Sequence, residues 1–375
     1  MNMRLFRGLL IAVLVGTVST TPVASPAPVP PRVEETMRPA DRMVNLGFED
    51  VVRSDPRYLD ELAARLEAVD ATAVSISVGR TDWTAFPWSG QVRTDSSQVT
   101  DTGQDFVAGA ISKLGVAANG KRRDIVLTID VLLERALQED PSLAGISATG
   151  AKSSSFASVS ALRRGEAGNK LAALAAEVAK RYRPTAVDLT ELMFDGFAFG
   201  TDDLVDFKAT TGEPDWPRLD NGSIDQSDPH LRTWKCEAVA DIVRKVSAAV
   251  EPFGVRVEMD VRSPRKTAAG DRAESGHDYE LLLKQLDRLH VWQYVGLNGR
   301  RAPGTQELVR ALNERAKDRL SLSLGLWSED GTISAETFAA NLEEAELGGA
   351  TSVSVTPASL MNDAHWEVLK HAWAE

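Results

Sequence analysis

The sequence predicts an α/β fold, a single (β/α)8 TIM barrel with long βα loops after strands two, three and four. Three observations support it. The 375 residues suit one large α/β domain. Short runs with period-two alternation of apolar residues occur eight times, each followed by a longer segment of helical period. Carboxylates follow several of these runs. Eight parallel strands with crossover helices close into a barrel more readily than they form an open sheet.

The predicted elements follow one another in regular order. The strands cover residues 43–49, 73–79, 124–130, 186–191, 256–262, 289–295, 320–327 and 352–356. The helices cover residues 58–69, 106–114, 171–182, 231–250, 279–286, 306–317, 335–347 and 364–374. The longest connections, 80–102, 131–168 and 193–229, follow strands two, three and four. All three therefore emerge at the same rim of the barrel, where active sites of this fold lie.

The alternation also predicts which side chains face the inside. Large aliphatic residues such as Ile125, Leu127 and Ile129 take the outward phase, toward the helices. The inward phase is polar, although a purely structural barrel would fill it with branched aliphatic residues. Buried carboxylates without partners are costly, so these residues form either an internal ion-pair network or a wet, substrate-accepting mouth. Both alternatives stay open for Glu258, Asp260 and Arg262.

The predicted mouth combines carboxylates with aromatic side chains. Aromatic faces beside carboxylates suit a pyranose ring, so we expect a carbohydrate substrate. The candidate substrate-binding residues are Glu49, Trp83, Asp130, Asp188, Arg262, Trp292, Tyr294 and Trp327. Trp83 belongs to an aromatic group with Phe86, Pro87 and Trp88, which could equally be packing within its loop.

The N-terminal region has the features of an export signal. Arg4 and Arg7 precede an apolar run, 9–18, and small residues follow it, so residues 1–25 are predicted to be a signal peptide. A retained anchor is the alternative. Residues 26–41 are a Pro/Ala-rich linker, and 42–375 are the barrel. We expect a secreted or cell-envelope-associated protein without a stable membrane span after signal cleavage.

The composition argues against several kinds of partner and binding site. A net charge of −12 argues against a nucleic-acid partner. Cys236 is the only cysteine, so no intramolecular disulfide can form, and its helical pattern favours a buried thiol over a nucleophile. The five histidines show no metal-binding spacing. Gly348 and Gly349 precede strand eight and supply no phosphate-binding loop. We therefore predict no cofactor, no metal site and a monomer.

One tract resembles a known family. Phe207-Lys-Ala-Thr-Thr-Gly-Glu-Pro-Asp-Trp-Pro-Arg218, Asp220-Asn-Gly-Ser-Ile224 and Leu231-Arg-Thr-Trp234 are similar to bacterial glycoside hydrolases of the family-10-like type. The resemblance implies an extracytoplasmic, carbohydrate-active TIM barrel. The chain departs from the family at Thr190-Glu-Leu-Met-Phe-Asp195, where a His-Phe-Asp-Asp-Tyr-like ending is usual. The segment around Asp215 and Trp216 also fits ordinary helix and loop architecture.

Glycoside hydrolysis needs two carboxyl groups on opposite sides of the scissile bond. Many retaining barrel glycosidases place them after strands four and seven, which corresponds here to Glu191 and Glu329. Glu329 keeps the inward parity of Trp327. Glu191 is out of the inward phase and needs a bend to face the mouth; otherwise it points outward. Asp188 and partial burial are expected to raise its pKa. Asp260 replaces Glu329 if the latter proves solvated.

Arg262 and Asp130 would orient sugar hydroxyls in this mechanism. The alternative function is a non-catalytic extracytoplasmic barrel that binds glycans without cleaving them. The two functions differ in whether a bound glycan is cleaved.

Overall fold

The computed structural model describes residues 38–374 except 54, 56, 90–94, 298–302 and 317. The predicted signal peptide, 1–25, and the linker up to residue 37 lie outside the described residues. None of the helices in the described part of the chain is long and apolar enough to cross a membrane.

Eight parallel strands form one closed barrel. They are β1 (Asp41–Leu46), β2 (Ala73–Arg80), β3 (Asp124–Asp130), β4 (Ala186–Thr190), β5 (Arg256–Arg262), β6 (Arg288–Gln293), β7 (Leu320–Gly325) and β8 (Ser352–Thr356). Each strand pairs with the next along the chain, and β8 pairs with β1 to close the barrel. The predicted (β/α)8 fold is confirmed.

Helices surround the strands. They are α1 (Phe48–Val51), α2 (Tyr58–Ala68), α3 (Ser97–Thr102), α4 (Phe106–Leu114), α5 (Glu134–Glu139), α6 (Val159–Arg163), α7 (Glu166–Tyr182), α8 (Thr201–Thr211), α9 (Pro229–Val250), α10 (Tyr279–Leu282), α11 (Thr305–Ala316), α12 (Ala335–Leu347) and α13 (Asp363–Ala374). The loops add further short elements. The 3-10 turns are Pro141–Leu143, Glu251–Phe253, Ala273–Ser275 and Ala358–Leu360. Trp83–Thr84 pairs with β2, Ala144–Ile146 with Lys152–Ala157, and Trp327–Ser328 with Gly331–Thr332.

Four strands end earlier than predicted, β4 by a single residue at Thr190. β1 stops at Leu46 because Gly47 caps α1, so Phe48 and Glu49 lie on a helical turn and not on the strand. β6 ends at Gln293 and β7 at Gly325. The period-two phase does not apply beyond these residues, which matters for every candidate at the rim.

The tract with the family resemblance forms part of the outer shell. Asp228 accepts a hydrogen bond from the His230 amide and begins α9. Trp234 on α9 is fully buried and packs against Phe207, with ring centroids 5.7 Å apart, and against Trp216 at 5.6 Å. The Trp216 segment is therefore helix and loop architecture that packs α8 against α9.

The barrel interior changes from apolar to charged along its axis. Met43, Ala73, Val126 and Ala186 form a small apolar cluster at the N-terminal end of the strands. Hydroxyl groups lie one layer higher, where Ser75 Oγ and Thr128 Oγ1 are 2.6 Å apart. The outward aliphatic residues belong to one separate large core beneath the helices. The predicted alternation of the strands is confirmed.

A buried ion pair lies in this interior. His290 Nε2 is 3.0 Å from Glu258 Oε2, and both side chains are almost fully buried. Burial lowers the pKa of His290, but Glu258, Asp188 and Asp260 outweigh it and raise that pKa to about 9. The ion-pair alternative is thus correct for Glu258, although its partner is His290 on β6 and not Arg262.

Glu258→Gln should destabilise the protein by about 3 kcal/mol at pH 6, because it removes the hydrogen-bonded counterion of a buried imidazolium. Because the pKa of His290 is raised, the charged imidazole stabilises the folded protein fully below about pH 6.5. This stabilisation is lost as the pH rises through about 9. The difference from wild type should therefore shrink over that range. Urea unfolding at several pH values measures it.

The matched control is Glu367→Gln, because Glu367 is largely exposed. We expect a change below about 0.5 kcal/mol for this variant. Equal stability of Glu258→Gln and wild type at pH 6 would contradict the assigned charge of His290.

Candidate active site

A cavity of about 740 Å³ opens at the C-terminal end of the barrel strands. Eight of the predicted site residues line it: Glu49, Trp83, Asp130, Glu191, Asp260, Trp292, Tyr294 and Trp327. They come from seven different strand ends, so only barrel closure brings them together. Asp188, Arg262 and Glu329 are not part of this lining.

Glu191 reaches the cavity through an unusual backbone conformation. It follows the last residue of β4 and has φ of +61°, in the left-handed region that residues with a Cβ atom rarely occupy. This residue is the bend that the sequence required, since it turns an out-of-phase side chain toward the cavity. Such strain persists only where the surrounding structure enforces it, and it is concentrated at functional sites.

The environment of Glu191 favours its protonated form. Burial contributes most, and the charges of Asp130 and Asp260 add to it, while Arg262 opposes them; together they raise the pKa of Glu191 to about 7. The expected contribution of Asp188 is not among these causes. A carboxyl group with this pKa can hold a proton at neutral pH and release it to a substrate.

Asp130 is held in a fixed orientation by Arg80, at the end of β2. Arg80 Nε donates to Asp130 Oδ2 at 2.7 Å, and the amide of Leu132 donates to Oδ1 at 2.9 Å. Arg80 also lies 3.3 Å from Glu134 and 4.9 Å above the Trp83 ring. Sequence reasoning missed Arg80. Its position directly after Gly79, the last residue of the predicted second strand, was a usable signal.

Asp260 lies between the cavity and the buried ion pair. It lines the cavity from β5, and its register partner on β6 is His290. Burial raises the pKa of Asp260, whereas His290, Thr190 and Trp292 act in the opposite direction. The net result is a raised pKa for Asp260, and the charged His290 limits that rise.

An aromatic wall forms another side of the cavity. Tyr294 stacks on Trp292 with centroids 5.2 Å apart and lies 5.2 Å from Trp327. Gly325 makes this packing possible, since a Cβ atom there would be 2.2 Å from Tyr294 Cδ1. Such faces provide flat apolar surface for a sugar ring.

The aromatic residues of the loop after β2 lie in two different environments. Trp83 lines the cavity and packs edge-to-face on Phe48 at 4.2 Å. Phe86 and Trp88 are buried in the core instead. The loop-packing alternative is therefore correct for those two residues, and the stacking alternative remains for Trp83 alone.

Two predicted residues, Asp188 and Arg262, lie outside the cavity lining but close to it. Asp188 is 3% exposed and accepts a hydrogen bond from Thr128 Oγ1 at 3.1 Å, one layer below the cavity. Arg262 Nε lies 3.1 Å from Asp195 Oδ2, and its guanidinium is 5.9 Å from the Trp292 ring. Arg262 therefore borders the site.

The predicted inward placement of Glu329 is wrong. Glu329 is exposed in the turn between Trp327–Ser328 and Gly331–Thr332. Its parity with Trp327 was counted along a strand that ends at Gly325, so the count carries no information at residue 329.

Other polar groups are available to a ligand. Asn45 lines the cavity and its Oδ1 atom is buried without a hydrogen-bond partner. Within the residues described, no group of three or more His, Cys, Asp or Glu side chains is arranged to hold a metal ion.

Comparisons with known proteins agree on the fold. No protein-family model matches the chain, and no curated protein does. The glycoside hydrolase domain of PgaB (BpsB) from Bordetella bronchiseptica has a TM-score of 0.68 at 15% identity, covering 89% of this chain and 99% of that chain. The catalytic domain of beta-amylase from Paenibacillus polymyxa has a TM-score of 0.62 at 13% identity, covering 90% and 98%. The chain thus shares its barrel fold with glycoside hydrolases.

A third similar structure is the beta-galactosidase from Rahnella sp. R3, with a TM-score of 0.63 at 12% identity. The match covers 91% of this chain and 56% of that protein. At these identities, the likeness establishes the fold and leaves the chemistry to be argued from the site itself.

Glu191→Gln should stabilise the protein at pH 8 by about 1–3 kcal/mol and have a smaller effect at pH 5. The pKa of Glu191 is raised to about 7, so wild type loses stability as pH rises from about 4.5 through 7, when a group favouring the neutral form must ionise. Gln stays neutral throughout. Thermal unfolding at both pH values measures the difference.

The control for this prediction is Glu329→Gln, which replaces an exposed carboxylate near the same rim. Its effect should be small and similar at both pH values. A Glu191→Gln variant no more stable than wild type at pH 8 would show that Glu191 ionises normally.

Proposed function

We propose that this protein is a glycan hydrolase that acts on a polysaccharide or cell-wall glycan. The observation that carries the proposal is Glu191, a strained, half-buried carboxyl group with a pKa near 7 that faces Asp130 and Asp260 in a cavity with an aromatic wall. The barrel fold shared with glycoside hydrolases supports it.

In the proposed reaction, Glu191 is the proton donor. Its carboxyl proton moves to the glycosidic oxygen as the bond between that oxygen and the anomeric carbon breaks. Asp260 is the second carboxylate, and the charge of His290 opposes the rise in its pKa that burial causes. Asp260 either takes a proton from the attacking water or bonds to the anomeric carbon before water releases the sugar.

The remaining residues position the substrate. The rings of Trp83, Trp292, Tyr294 and Trp327 give stacking surfaces, and Glu49, Asp130 and Asn45 offer acceptors to sugar hydroxyls. Arg80 fixes the carboxylate of Asp130, and Arg262 borders the same region. Asp188 is assigned a supporting role below the cavity, since its side chain is buried.

Secretion or attachment to the cell envelope belongs to the same proposal, and it depends on residues 1–41. The monomeric state also remains a prediction. The family-10-like assignment stays a resemblance of the 207–234 tract, because no family model matches the chain.

Glu191→Gln should lower turnover of a cleaved oligosaccharide by about 10²–10⁴-fold with little change in substrate binding, because it removes the acid and keeps the shape. Asp260→Asn should cause a loss of similar size. The measurement is product release from a panel of oligosaccharides, with the anomer of the first product read by NMR to separate retention from inversion.

Glu329→Gln is the matched control and should retain wild-type turnover, since Glu329 is outside the cavity lining. Full activity in Glu191→Gln would exclude Glu191 as the proton donor. Binding of a glycan without any product from the wild-type protein would instead favour the non-catalytic glycan-binding function.

A further inference from the structure

A second cavity, of about 600 Å³, lies beside the candidate active site. It is formed by α9, the segment that precedes α9 and the connection after β5. Its charged lining residues include Arg232, Lys235, Arg265, Lys266, Asp195 and Glu274. Neither the fold resemblance nor the proposed reaction uses this cavity, which is therefore unassigned.

The carboxylates of this cavity are already neutralised by arginines. Glu274 lies 2.8 Å from Arg272 and 3.7 Å from Arg265, which is itself part of the lining. Asp195 lies 3.1 Å from Arg262 and also accepts a hydrogen bond from the Ser275 hydroxyl.

Two cations of the lining are open to solvent, although the charge of Arg232 also acts on Asp225. Arg232 and Lys266 are exposed, and neither forms an ion pair with any residue in the described part of the chain. Among the described residues, the lining holds four cationic side chains, Arg232, Lys235, Arg265 and Lys266, against three carboxylates, of which Asp271 accepts a hydrogen bond from the Ala273 amide. The cavity therefore has an excess of positive charge in a protein with a net charge of −12.

Lys235 places a buried ammonium group at this cavity. Its residue is 3% exposed, and its Nζ donates to the carbonyl oxygens of Asp195 at 3.2 Å and Glu274 at 3.3 Å. An ammonium group has three N–H donors, so one donor is left for a ligand. Burial lowers the pKa of Lys235 to about 8, a cost that an anion bound next to it would offset.

A chain of side-chain contacts leads from this cavity to the candidate active site. Asp195 lines it and also lines a small cleft of about 120 Å³ that contains Arg262 and the stacked rings of Phe156 and Phe197. Arg262 in turn lies over Trp292, whose ring lines the active-site cavity. The basic cavity is therefore separated from the lining of the active site by two residue contacts, Asp195 with Arg262 and Arg262 with Trp292.

We propose that the basic cavity binds an anionic group, a carboxylate or a phosphate, carried by the glycan whose neighbouring residues occupy the active site. This inference rests on the proposed function and narrows its substrate class to acidic polysaccharides. The same chemistry would also accept a free small anion, so the test separates the two sources.

The experiment measures binding of inorganic phosphate and of glucuronate by calorimetry at low ionic strength. Arg232→Ala/Lys266→Ala should weaken both by at least about tenfold, because two charge-assisted contacts are lost. The folded Lys235→Met variant should likewise bind phosphate and glucuronate more weakly than wild type. The matched control, Lys180→Ala/Lys208→Ala, removes two exposed lysines outside the cavity and should bind as wild type does.

A pair of oligosaccharides identifies the source of the anion. Hexagalacturonate should bind wild type at least about tenfold more tightly than its methyl ester, and the Arg232→Ala/Lys266→Ala variant should lose this preference. Phosphate binding without any such preference would overturn the assignment to a glycan and leave a small-anion site.

Absence of binding by either anion, or equal binding by the variant and wild type, would overturn the inference itself. Failure of the proposed hydrolysis would appear separately, as the absence of any product when the wild-type protein is incubated with the oligosaccharide panel. Anion binding that depends on Arg232 and Lys266 would stand in that case.

Discussion

Closing eight parallel strands into a cylinder sends every second side chain into a confined interior, and in this chain many of those side chains are ionisable. The interior is stable only because the charges neutralise one another. His290 provides the positive charge and Glu258 is its hydrogen-bonded partner, while burial raises the pKa of Asp188 and of Asp260 close by. The electrostatics of the active-site cavity depend on this arrangement, since Asp260 belongs to both.

The two carboxyl groups above that ion pair have different proposed roles in the site. Burial and acidic neighbours raise the pKa of Glu191, while at Asp260 the imidazolium beneath it opposes the rise that burial causes. Acid-assisted cleavage of a glycosidic bond requires one protonated and one ionised carboxyl group. The aromatic wall and the basic cavity then determine which glycan can lie across them.

Much of the fold was predictable, because the alternation within each strand directly reflects burial on one face. The inward positions of Asp130 and Asp260 followed from that alternation alone. The inward placement predicted for Glu329 was wrong because the period-two alternation was continued past Gly325, where the strand ends. His290 and Arg80 were missed for a different reason: their roles come from partners on neighbouring strands, which are distant in sequence.

The sequence by itself determined the number of strands, their phase and the set of acids at the C-terminal rim, since hydrophobic periodicity is a local property of the chain. Tertiary structure decided which of these acids meet. The left-handed backbone of Glu191 and the burial that raises its pKa arise only when β3, β4 and β5 are packed side by side. Local pattern does not specify backbone angles beyond a strand end, because contacts with the rest of the barrel fix them.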